Sequence, residues 1–111
     1  MQLREWMGAL NRADSEESLA RLVGDFVKKV RSSSDIPVDC LPAEPASGDD
    51  IRIQAAHLTR LHCGPRIAHK DHDLYQQMMV LFSLAVDRLS MLEGRGLIPP
   101  SRAALRSSAV H

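Results

Sequence analysis

The stretch HLTRLHCGPRIAHKDH, residues 57–72, gathers four of the five histidines and one of the two cysteines of this 111-residue chain. Imidazole and thiolate are the side chains that bind zinc, accept groups and move protons near neutral pH. His62, Cys63, His69 and His72 all carry donor atoms suited to zinc, and His69 with His72 share one helical face at i, i+3. Their spacing is poor for a metal site. His62 and Cys63 are neighbours and diverge by about 100° on a helix. Neither a paired Cys-x-x-Cys nor a His-Glu-x-x-His occurs. On a helical wheel His69 and His72 fall beside Asp73 and Gln76, on a polar face. The expectation is therefore solvated histidines and no cofactor, with zinc as the alternative. His62 falls on the inward face of its helix, where a histidine is expected to be hydrogen-bonded at the margin of the core.

His57 has different surroundings. It stands at the edge of an apolar helical stripe, with Ile53 one turn before it, Leu61 one turn after, and Arg60 three residues on. An accessible ring nitrogen on a rigid helix, with a cation nearby to stabilise added negative charge, is what a phosphoryl-accepting histidine requires. Residues 48–64, GDDIRIQAAHLTRLHCG, resemble in a few positions the local pattern Ala-His-x-Leu-Lys-Gly of histidine phosphotransfer domains, which are helical bundles of similar length. Ala56 precedes His57, and Arg60 supplies the basic residue. Thr59 stands where that pattern has leucine, and Leu61 where it has glycine. The resemblance implies a phosphoacceptor at His57 assisted by Arg60. The leucine would obstruct the receiver domain that such a histidine serves.

Other catalytic constellations are missing. The carboxylate pairs Glu16–Glu17 and Asp49–Asp50 stand at helix starts, where capping and the helix dipole explain them. No glycine-rich loop follows a strand, so no phosphate cradle is encoded. A Cys63 thiolate activated by His62 lacks a third, orienting group.

These residues ride on helices. Leu3, Trp6, Met7 and Leu10 predict a short helix over about 2–12. Asp14 with Glu17 fits a capping box for a second helix, whose stripe is Leu19, Leu22, Val23, Phe26, Val27 and Val30, fading near 31–34. Residues 33–48 hold prolines at 37, 42 and 45 and predict an extended linker lying against the bundle through Ile36, Val38, Cys40 and Leu41. Ser47 or Asp49 can cap a third helix with Ile51, Ala55, Leu58, Leu61 and His62 inward, stopped by Gly64 and Pro65. A fourth helix begins at Arg66 or Asp71 and runs to about Glu93, on a stripe of Leu74, Met78, Leu81, Phe82, Ala85, Leu89 and Leu92. No period-two alternation or hairpin dipeptide argues for strands. The expected fold is all-α, one short N-terminal helix plus three longer ones in a single bundle over 1–93. Residues 94–111 are expected to form a flexible basic tail, with one turn capped by Ser101.

Composition bounds the rest. Fourteen basic and fourteen acidic residues cancel, and basic patches interleaved with aromatics are missing, so no nucleic-acid site is expected. No apolar run reaches the roughly 18 residues of a membrane span. The charged, amphipathic first residues do not read as a secretory signal. A cytoplasmic location with free Cys40 and Cys63 thiols follows as an expectation. Tyr75, Met79 and Val86 lie at one edge of the fourth helix's stripe, with Val80 and Met91 on its other margin. That face is wider than three-helix packing covers. The leading expectation is thus a non-enzymatic module that binds a protein partner, or a second copy of itself, through this face.

Overall fold

The computed structural model describes residues 2–61 and 63–100. Among them lie four α-helices and no strand: α1 (Leu3–Arg12), α2 (Glu16–Ser33), α3 (Gly48–Arg60) and α4 (His72–Gly94). Single 3-10 turns occur at Val38–Cys40, Gly64–Arg66 and His69–Asp71. The expected all-α architecture and helix count hold.

Each helix buries the centre of the stripe that its periodicity marks out, while Met7 of the α1 stripe is exposed. α2 contributes Leu19, Val23, Phe26, Val27 and Val30, and α4 contributes Tyr75, Met78, Leu81, Phe82, Ala85, Leu89 and Leu92. α3 adds Ile51 and Leu58, while α1 adds Trp6 and Leu10. Trp6 meets Phe26 edge to face, ring centroids 5.1 Å apart. All of these belong to one cluster. α4 is its axis, packed against α1, α2 and α3 alike. The Arg88 guanidinium also holds the end of α1, its Nε donating to the Ala13 carbonyl at 3.0 Å.

Three expectations about element ends are corrected. The N-cap of α2 is Ser15 rather than Asp14. The Ser18 N–H donates to Ser15 Oγ at 3.1 Å, and the Ser15 N–H donates to Ser18 Oγ at 3.3 Å. Two short hydroxyl side chains thus close the reciprocal box one residue along from the carboxylate pair. α3 ends before Gly64: Leu61 is already extended (φ −76°, ψ 130°), which lets Cys63 turn into the interior. The left-handed glycine is Gly96 instead (φ 72°), where a side chain would be strained. There the Leu97 N–H reaches back to the Leu92 carbonyl at 2.9 Å. The chain also does not leave the bundle at Gly94, since Ile98 is buried. The turn expected at Ser101 lies outside the described residues.

α3 is capped as expected by Ser47, whose Oγ accepts the Asp50 N–H at 3.2 Å. Gly48, next to it, sits where α3 nearly touches two other elements. A Cβ there would stand 2.8 Å from Glu16 Oε1 and 3.1 Å from Leu89 Cδ2.

Residues 34–47 cross between α2 and α3 as a strap. Ile36, Cys40 and Pro45 are buried, whereas Val38 is 79% exposed. The free-thiol expectation is corrected: Cys40 is bonded to Cys63, with Cα atoms 6.0 Å apart. Packing brings both side chains into the core, a proximity that a separation of 23 residues does not reveal. Around the disulfide, Arg66 grips Asp39 through two bonds of 2.6 and 3.0 Å, Lys70 pairs with Asp35, and Glu44 faces Lys28 and Arg31 at 3.7 and 3.5 Å.

Candidate functional site

His57 projects from the exposed side of α3, with Arg60 exposed one turn on and Ile53 66% exposed one turn back. On its other flank is a hollow of about 280 Å³ walled by Asp39, Leu41, Pro42, Gln54, Leu58 and Leu61. The Arg66 guanidinium, by its hydrogen bonds and charge, holds the Asp39 carboxyl below its ordinary value. Leu61 lines the same hollow as His57, in the place where the phosphotransfer pattern has glycine. A receiver domain approaching the imidazole from that side would meet this side chain.

The four zinc-ligand candidates fare differently. Cys63 has its sulfur bonded to Cys40 and offers no thiolate. His72 is half-buried at the start of α4, its Nε2 2.9 Å from the Ile67 carbonyl. His69 is exposed, and the two rings lie 5.9 Å apart, centroid to centroid. His62, for both its inward placement and its metal-ligand candidacy, lies outside the described residues. Among the described residues no three His, Cys, Asp or Glu side chains converge on one point.

The five side chains of the expected binding face separate into three places. Tyr75 belongs to the core, 7% exposed, rather than to the outer face. It borders a hollow of about 420 Å³ whose other walls include Gly64, Pro65, Ile67, His72 and Met79. Burial pushes its phenol above the usual value of 10.0, and its hydroxyl has no hydrogen-bond partner among the described residues. Val80 and Met91 are 45% and 36% exposed on the other margin of α4, and the Arg88 guanidinium bridges that margin to the end of α1.

Met79 and Val86 remain, half-buried, and they meet α3. Together with Ala55, Ala56, Leu58 and Phe82 they line a groove of about 300 Å³ along the outer seam of α3 and α4. Leu58, Thr59 and Met79 border this groove and the Tyr75 hollow alike, so the two are neighbours. Small side chains on both helices, Ala55, Ala56, Thr59 and Ser83, keep the seam open. Arg52 closes one end by donating to Glu93 Oε1 at 2.7 Å. The contribution of α3 to this surface is missing from an account based on α4 alone. The small Ala55–Ala56 pair, half-buried and exposed respectively, is the signal that marks it.

No helix among the described residues is long and apolar enough to cross a membrane. Comparison of the chain with protein-family models, with curated proteins and with solved structures finds no match.

Proposed function

We propose that this chain is a non-enzymatic helical module that binds another protein surface in the seam between α3 and α4. The reading rests on the groove itself: a mainly apolar hollow between two helices, open to solvent and neighbour to a second hollow. Covering such a surface gains about 25 cal/mol for each Å² of apolar area removed from water. Grooves of this kind accept an amphipathic helix through anchors spaced one turn apart. The strap and its disulfide lie along the opposite flank of α3, where they fix that helix in position.

Ala56 is exposed at the lip, so Ala56→Glu places a charge in the groove without disturbing the core. Affinity capture with wild-type and Ala56→Glu baits of equal helicity tests the reading. A species held by the first and released by the second is the expected result. Identical captured sets, empty ones included, overturn it.

A further inference from the structure

The hollow of about 420 Å³ beside Tyr75 carries an observation that the seam groove does not. Tyr75 is 7% exposed, and its hydroxyl is buried with no hydrogen-bond partner among the described residues. Buried polar groups are almost always paired, so this one calls for an explanation. The other polar side chains of the wall are accounted for. His72 Nε2 is engaged with the Ile67 carbonyl at 2.9 Å, and Thr59 Oγ1 donates to the Ala56 carbonyl at 2.7 Å. Gln76 is exposed to solvent.

The rest of the wall is aliphatic or sulfur-bearing: Leu58, Leu61, Pro65, Ile67 and Met79. Among the described residues no lysine, arginine, aspartate or glutamate lines it. A charged ligand would lose its hydration there without meeting an opposite charge. The volume falls in the range of about 300–1,000 Å³ that small-molecule sites occupy. One wall is also held in place. The turn Gly64–Arg66 follows Cys63, which is bonded to Cys40, and Arg66 grips Asp39 on the strap. A wall tethered in this way leaves less to be ordered when a ligand enters.

We infer that this hollow binds a small uncharged molecule, mainly apolar, whose one acceptor oxygen takes a hydrogen bond from the Tyr75 hydroxyl. The inference goes beyond the protein-binding reading and does not rest on it, since the seam residue Ala56 is not part of this wall. A protonated phenol donates, and a carbonyl oxygen is the simplest acceptor that an apolar body can carry. The hydroxyl has already lost water in the free protein. Pairing with a ligand therefore recovers a cost met on folding and does not trade one partner for another. Because the hydroxyl is closed off from solvent, the ligand's oxygen reaches it by displacing part of the wall. Met79, unbranched and flexible, is the member able to yield. Selectivity then falls on the oxygen. Transfer from water alone favours a hydrocarbon, whereas a site with an unpaired donor favours the ligand that carries an acceptor.

Amide NMR titration of the full chain with acetophenone, ethylbenzene and benzoate, which share one ring, tests the inference. Wild type is expected to bind the ketone saturably, with shifts at Leu61, Ile67 and Met79. It is expected to hold the ketone about fivefold or more tightly than ethylbenzene, and to leave benzoate unbound. Tyr75→Phe is expected to reverse the order, because the carbonyl then enters an apolar wall that offers no donor. Ala56→Glu alters the seam alone and is expected to bind the ketone as wild type does. No ketone binding, ethylbenzene held as tightly as the ketone by wild type, or equal ketone affinity in Tyr75→Phe each overturns the inference. The wild-type comparison needs no substitution, so it decides even where the Phe variant fails to fold. Benzoate bound as tightly as the ketone overturns it too. Ketone binding lost in Ala56→Glu places the probe in the seam and has the same consequence. A chain that captures no protein partner yet binds the ketone through Tyr75 sinks the groove reading and leaves this one standing.

Discussion

Asp71 Oδ2 accepts the backbone N–H of Asp35 at 3.1 Å, tying the residue before α4 to the chain just beyond α2. Asp71 is the one buried charged side chain among the described residues. It stands at the N-cap of α4 yet makes no cap hydrogen bond there. Its carboxylate serves the strap instead. Replacing it with Ala leaves the Asp35 amide without its acceptor, at an expected loss of about 1–2 kcal/mol in denaturant unfolding. Asp71→Asn keeps an acceptor oxygen and should lose less. Equal losses in the two variants would refute the assignment.

Reducing the Cys40–Cys63 bond enlarges the unfolded ensemble by releasing a loop closed between residues 23 positions apart. Chain-entropy reasoning puts the cost at about 3 kcal/mol. The melting midpoint should fall on adding a reductant, and Cys40→Ser should match the reduced wild type. A midpoint unmoved by reductant would show that the strap is held without the bond.

Tyr75 buries a hydroxyl for which the described residues supply no partner. Tyr75→Phe removes that cost and is expected to raise stability by roughly 1–2 kcal/mol. The folded state holds the phenol above its usual 10.0, so the neutral form is favoured. The contribution is present below that pH and is lost as pH rises through the raised value. The Phe variant should therefore lose less stability in alkali than wild type. A destabilised Phe variant would mean that the hydroxyl has a partner in solution.

Acid acts on the strap. Hydrogen bonding and charge from Lys70 hold Asp35 below 3.8, and the Arg66 hydrogen bond does the same for Asp39. Lowered folded-state values mean stability that is present above 3.8 and lost as pH falls through them. Both pairs are solvent-exposed, so the effect is local and small. Amide protection factors of Cys40 and Leu41 should hold above 3.8 and fall as pH drops below it, before the helices lose protection. Uniform loss along the chain would contradict this.

The helices were legible because a buried stripe repeats every three to four residues, and Leu19 through Val30 or Met78 through Leu92 leave little choice of face. Their ends were less so. Asp14 with Glu17 and Ser15 with Ser18 both satisfy the capping spacing, and only the path of the chain selects the serines. The early exit of α3 at Leu61 follows from the inward turn of Cys63, which depends on a partner 23 residues away. The pairs Asp35–Lys70 and Asp39–Arg66 were illegible for the same reason: nothing local relates residues 35 and 27 positions apart. The face expected on α4 divides in the structure, with Tyr75 in the core, Met79 and Val86 half-buried against α3, and Val80 and Met91 exposed on the other margin. α1 packs on α4 as α2 and α3 do, while the seam with α3 stays open. The seam is a property of two helices together, and a single-helix wheel does not display it.

The sulfur bridge also closes a covalent ring from residue 40 to residue 63, and all of α3 lies inside it. A protease that cuts one peptide bond between those residues therefore releases no fragment. The nicked protein keeps its mass, apart from one added water, until reductant separates the pieces on a gel. Such a cut leaves both broken ends tethered beside their original neighbours, which favours resealing into the same packed arrangement.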